Sequence, residues 1–178
     1  MRTPRHALIV CALLALGACG ATPQTDGAAA RFGGETAVPQ GVASAPKRTD
    51  VRFGSAYRFS EGVAVSVSSP RSFRPSDAAY PHSERAVAFE IVVRNEGHQP
   101  YRLSGLSANA TVDGIQAKQV LDAVQGFSGI VDAGKDVLPG HDVRFNMAFA
   151  MPTDLTQLKL ALRTSPASGD IAQYCGRA

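Results

Sequence analysis

Beyond residue 50, apolar residues recur at every second position over most of the chain. Val63, Val65 and Val67 alternate with Ala64 and Ser66 behind the turn Ser60-Glu61-Gly62. Val87, Phe89, Ile91 and Val93 share one face of the run 85–94, which ends at Asn95-Glu96-Gly97. Leu106, Ala108, Ala110 and Val112 alternate up to Asp113-Gly114, and a strand over 115–119 is expected to return from that pair. Val143, Phe145, Met147 and Phe149 follow Pro139-Gly140, and Leu158, Leu160 and Leu162 repeat the pattern. Period-two alternation sends successive side chains to opposite faces, so each run reads as a strand with one buried face. Asp-Gly is the residue pair that a two-residue hairpin turn favours. Short strands over 57–59 and 171–174 complete the set, and no stretch carries a helical stripe with caps. About eight strands with closely spaced turn signals predict an all-β fold, an antiparallel β-sandwich over 51–178.

The first fifty residues follow no such period. Two arginines, Arg2 and Arg5, precede the apolar run Ala7–Ala18. As a helix that run rises about 18 Å, short of the ~30 Å hydrocarbon core, so it reads as a signal peptide over 1–18 rather than a span. Residues 19–50, rich in Ala, Gly, Thr and Pro, read as a flexible linker with a coil reach of about 30 Å. Leu16-Gly17-Ala18-Cys19 resembles the bacterial lipobox, a branched apolar residue and two small ones before a cysteine. The resemblance implies signal-peptidase recognition of Leu16, Gly17 and Ala18, cleavage before Cys19, and lipid on the Cys19 thiol. Two or three acyl chains exceed what stable membrane attachment needs. The expected location is therefore the extracytoplasmic face of a cell membrane.

Composition narrows the function classes. The chain has 178 residues with 18 Lys and Arg against 15 Asp and Glu, a net charge of +3, and two of the arginines lie in the leader. That balance gives no footprint for a nucleic-acid partner. Of three cysteines only Cys175 remains once the leader is cut and Cys19 is acylated, so no disulfide can close within the domain. The apolar core must hold the fold alone, and a domain of this size buries enough surface to do so.

Three stretches carry a family resemblance. Glu61–Pro70 reads EGVAVSVSSP and is followed by a loop containing Pro and Tyr; Ala88–Asn95 reads AFEIVVRN and precedes Gln99-Pro100-Tyr101; Val137-Leu138-Pro139-Gly140 leads into Val143–Phe149, VRFNMAF. Together they resemble an uncharacterised family of actinobacterial lipoprotein ectodomains, similar in fold to secreted mycobacterial immunogenic proteins. The resemblance covers most of 51–163. It implies an immunoglobulin-like (telokin-like) sandwich, and it transfers no catalytic residue.

Candidate chemistry is confined to loops. His82, His98 and His141 all lie in expected loop sequence, and with Asp142 they could ligate zinc or copper if sandwich loops converged, although turn histidines are ordinarily solvated. Asp122, Asp132, Asp136 and Asp142 could supply oxygens to calcium, or simply form turns. Cys175 could join two molecules. Two loops could carry recognition: Arg71–Glu84, with Arg71, Phe73, Arg74 and Tyr80, and Leu121–Lys135, with Phe127. Aromatic residues beside Arg are enriched at binding hot spots, while loop aromatics also fold back to close a sandwich end. The expectation is a membrane-anchored lipoprotein with no cofactor, no metal and no catalytic residues. Its membrane partner is reached through lipid on Cys19, and its sandwich binds an envelope protein or glycan or has a structural role in the envelope. The alternative is an extracytoplasmic metal-handling protein or enzyme using the loop histidines.

Overall fold

The computed structural model describes residues 45–154 and 156–178. The expected signal peptide, Leu16, Gly17, Ala18, Cys19 and the linker up to residue 44 lie outside the described residues. Within them the alternating runs become strands, and two sheets pack face to face.

The first sheet runs in the order β1, Lys47–Arg52; β13, Asp170–Arg177; β12, Gln157–Arg163; β7, Ser107–Val112; and β8, Ile115–Gln116. The second runs β2, Ala56–Arg58; β3, Val63–Val67; β5, Ala86–Asn95; β11, Asp142–Ala150; and β9, Gln119–Val120, with β4, Arg71–Phe73, also paired to β5. A two-stranded ribbon of β6, Tyr101–Arg102, and β10, Asp136–Val137, closes one end. Among the described residues no helix is long and apolar enough to cross a membrane.

The core lies between the two sheets. Val63, Val65, Val67, Val87, Phe89, Ile91, Val93, Phe145, Met147 and Phe149 face inward from the second sheet; Ala110, Val112, Leu158, Leu160, Leu162, Ala172 and Tyr174 meet them from the first. The sequence has no Trp and the described residues hold no disulfide; Tyr174 ties the two sheets across the core. Its hydroxyl donates to the carbonyl of Val65 on the opposite sheet at 2.8 Å and also lies 3.2 Å from that of Ser55. Phe53 stacks on Phe89 with ring centroids 5.4 Å apart, and it closes over Gly176, where a Cβ would come within 2.9 Å of the ring.

Three details differ from the sequence reading. The domain begins at Lys47, inside the stretch assigned to the linker, because β1 adds to the edge of β13 in parallel register, Lys47 opposite Asp170 and Arg52 opposite Cys175. Only Thr49 and Val51 of β1 turn partly inward, so backbone pairing holds it and no apolar alternation announces it. The strand expected over 115–119 is two strands in different sheets. The Ala117 amide bonds the Ala110 carbonyl in the first sheet, and the Lys118 carbonyl accepts from Ala150 in the second. The β3–β4 edge carries a one-residue bulge against β5: Val67 pairs with Ile91 but Arg71 with Ala88. Pro70 cannot donate there, and the Ser68 hydroxyl accepts from the Glu90 amide at 3.0 Å in place of a backbone carbonyl.

Candidate functional site: a two-loop platform

The outer face of the second sheet is lined at one end by alanines. Ala86 and Ala88 of β5 and Ala148 and Ala150 of β11 are out of phase with the core residues, yet the first three are fully or almost fully buried. Small side chains leave a trough, and Phe127 fills it at 3% exposure. Phe73 packs on Phe127 with centroids 4.4 Å apart, and the Arg71 guanidinium sits 5.7 Å over the same ring. Ala79 and Val120 complete this second apolar cluster.

The loops that carry these residues are stitched together. Tyr80 and Leu121 exchange backbone hydrogen bonds of 2.8 and 2.7 Å. Asp122, fully buried, accepts from the Ser76 amide at 2.7 Å, the Ser76 hydroxyl at 2.8 Å and the Gln125 side chain at 3.0 Å. Donation from the Ser76 amide outweighs the opposing effect of burial and, with the other donors, holds the Asp122 carboxyl below the usual carboxylate range. Gln125 also donates to the Arg74 carbonyl at 3.0 Å. The sequence treats 71–84 and 121–135 as separate candidates, but they form one surface.

On that surface, the exposed groups are Arg71, Arg74, Tyr80, Leu121 and Val124, with Tyr80 at 77%. A cleft of about 570 Å³ lies on one side, lined by Ser72, Phe73, Arg74, Glu84, Arg85 and Thr153. Arg85 fixes its wall by donating to the Ser72 hydroxyl at 2.8 Å and to the carbonyls of Pro152 and Asp154 at 2.9 and 3.1 Å. A second hollow of about 400 Å³ opens beside Tyr80, between Gln119, Leu121, Ser128 and Ile130. Thus the structure brings all five candidate recognition residues together. Phe127 and Phe73 act as the platform's support, while Arg71, Arg74 and Tyr80 stay available. Ser76, Asp122, Gln125 and Arg85 were not picked out as parts of a recognition surface. The signal that could have found such a platform is the row of alanines whose phase opposes the core.

The histidines stay apart. His82 precedes β5 and His98 follows it, so a ten-residue strand, about 30 Å long, separates them. His141 shares the His98 end, where the Asn95 amide bonds the His141 carbonyl at 2.9 Å. All three rings are exposed, and among the described residues no group of three or more His, Cys, Asp or Glu converges with metal-ligand geometry. Asp132, Asp136 and Asp142 line one hollow with His141, but among the described residues they do not converge with metal-ligand geometry. Asp122 is saturated by Ser76 and Gln125, Asp132 pairs with Lys135 at 2.7 Å, Asp136 with Arg102 at 3.2 Å and Asp142 with Arg144 at 3.5 Å. Cys175 is half-buried on β13, with its Sγ 3.9 Å from Asp50 Oδ1.

The resemblance motifs prove to be structural joints. Asn95, buried, donates through Nδ2 to the carbonyls of Gln99 and Val137, both at 2.7 Å, and accepts from the Gly97 amide at 3.0 Å. It thereby binds the turn after β5 to the Leu138-Pro139-Gly140 turn before β11.

No family model and no curated protein sequence matches the chain. Among solved structures it is similar to the yjhA protein from Bacillus subtilis, with 11% identity over 69% of this chain and 98% of that one and a TM-score of 0.52. It is also similar to a "putative lipoprotein (ycdA)" from the same organism, with 10% identity, 68% of this chain, 38% of that one and a TM-score of 0.52. A secreted protein from Mycobacterium tuberculosis, MPT63, aligns over 71% of this chain and 98% of its own with 16% identity and a TM-score of 0.48. The chain is a β-sandwich. At these identities the likeness concerns the fold alone.

Proposed function

We propose that the chain is a lipoprotein, akin to the actinobacterial family it resembles, held at the extracytoplasmic face of a cell membrane by acylated Cys19. Its sandwich is a non-catalytic module that binds an envelope protein or glycan. The two-loop platform carries this reading. A rigid base of Phe127, Phe73 and Asp122 holds Arg71, Arg74 and Tyr80 outward between two hollows. The one buried carboxylate of the platform is occupied by its own hydrogen bonds, which leaves it neither a proton to transfer nor a free oxygen for a ligand. The exposed groups offer stacking on a sugar ring or aromatic side chain and charge-assisted hydrogen bonds from arginine. Among the loop histidines His82 stands the length of β5 away from His98 and His141, and the three support no comparable site.

Two measurements test the proposal. Cys19→Ser is expected to move the protein from the membrane fraction to the soluble one, and unchanged partitioning removes the anchor. The domain used as bait on envelope extract is expected to retain a partner that the Arg74→Ala/Tyr80→Ala variant loses by at least about tenfold, the scale of one hot-spot residue. Retention equal in the two proteins removes the platform from the reading.

A further inference from the structure

The two outer faces of the sandwich differ in how their charges are balanced. On the second sheet Arg71 lies over the Phe127 ring, and the other strand cations are paired with acids: Arg58 and Arg94 lie 2.6 and 3.9 Å from Glu96, and Arg144 lies 3.5 Å from Asp142 and 3.9 Å from Glu90. The first sheet is different. With Val51, Ala172, Tyr174, Leu158, Leu160 and Leu162 turned toward the core, the opposite pleat carries Arg48 and Arg52 from β1, Lys159 and Arg163 from β12, and Arg177 from β13. Register places Arg52 beside Cys175 and Cys175 beside Lys159, so two cations share one row across the sheet. Among the described residues Arg48, Arg52, Lys159 and Arg177 have no carboxylate partner, and Arg163 donates only to the carbonyls of Pro166 and Ser168. Asp50 is the single acid on these three strands' outward positions, and it accepts from Gln173 at 3.0 Å.

We infer that this face docks on the surface of an anionic phospholipid bilayer. The inference rests on the proposed lipid anchor and deepens it. Charge complementarity selects the occupant: a polar sheet face whose cations lack carboxylate partners suits a plane of phosphate headgroups. Chain connectivity supports it, because the segment from Cys19 enters the domain at Lys47, on the edge strand of this same sheet. With the proposed anchor only 28 residues before Lys47, an anchored domain meets the headgroups at high effective concentration and weak attraction suffices. Docking by the first sheet turns the outer face of the second, with Arg74 and Tyr80, away from the bilayer.

The test uses residues 19–178 with Cys19→Ser, so that no acyl chain contributes. Its sedimentation is measured with vesicles of phosphatidylcholine alone and of phosphatidylcholine with phosphatidylglycerol at roughly two to one, at low and at about 0.15 M salt. Binding is expected to the anionic vesicles only and to weaken with salt. Arg52→Gln/Lys159→Gln is expected to weaken it about 25-fold, roughly fivefold per cation, while Arg94→Gln/Arg144→Gln on the other face leaves it within about twofold. Circular dichroism melts confirm that both variants fold. Equal binding to both vesicle types, equal loss in both variants, or binding to soluble polyphosphate without binding to vesicles overturns the inference. The result is independent of acylation, whose failure would appear instead as unchanged partitioning of the wild-type and Cys19→Ser chains in cells.

Discussion

Asp122 joins two loops that are 46 residues apart in sequence at the Ser76 contact. Its carboxyl is held below its ordinary range, foremost by the Ser76 amide against the opposing effect of burial, so the fold favours the charged form. Such a group contributes stability that is present above its unfolded pKa of about 4 and is lost as pH falls through its lower native pKa. Asp122→Asn puts an amide donor against the Ser76 amide. The variant is expected to be nicked faster by protease within 74–85 or 121–131 at neutral pH, and to lose part of the wild type's destabilisation below about pH 4. Urea melts at several pH values check the second point. Asp122 was visible in the sequence as a loop carboxylate, but its partners were not, because no local spacing relates Ser76 to residue 122. Phe127 is similar: sequence marks an aromatic among glycines, and only the alanine trough shows that it supports the platform.

Elements were more legible than their partners. Asp113-Gly114 forms the expected hairpin, with φ of 48° and 85°, because a two-residue turn needs left-handed backbone at both positions. The division of 115–119 between two sheets escaped the sequence, since period-two alternation looks the same whichever sheet a strand joins. Turn packing was equally hidden. Gly62, at φ 85°, lies so close to the turn after β5 that a Cβ would stand 2.9 Å from the Gly97 Cα. Gly62→Ala therefore combines a strained φ with a backbone clash, and a loss of at least about 2 kcal/mol is expected in urea denaturation. Gly114→Ala, at a similar φ but with open space around it, is the control and should cost less.

For the whole molecule, the balance of terms lies in the core and in the tie across it. Tyr174→Phe keeps the ring but leaves the buried Val65 carbonyl without its cross-sheet donor, a loss of about 1–2 kcal/mol. Burial pushes the Tyr174 phenol up to about 12, with a backbone hydrogen bond at Tyr57 acting in the opposite direction. A phenol raised in this way supports the fold below its unfolded pKa of about 10 and ceases to as pH climbs through about 12. Equilibrium melts across that window should show a smaller alkaline loss for the variant than for the wild type. The alternation of Val63–Val67, Val87–Val93, Phe145–Phe149 and Leu158–Leu162 was sufficient to determine an all-β domain with one buried face on each of these strands. Burial of one face per strand is a local property of spacing, so a single chain of letters can display it. Which loop meets which, where the histidines stand, how β1 attaches and which sheet face is left with unpaired cations depend on contacts between residues far apart in sequence. Those contacts are decided by the packing of two sheets as a unit, and only the tertiary structure records them.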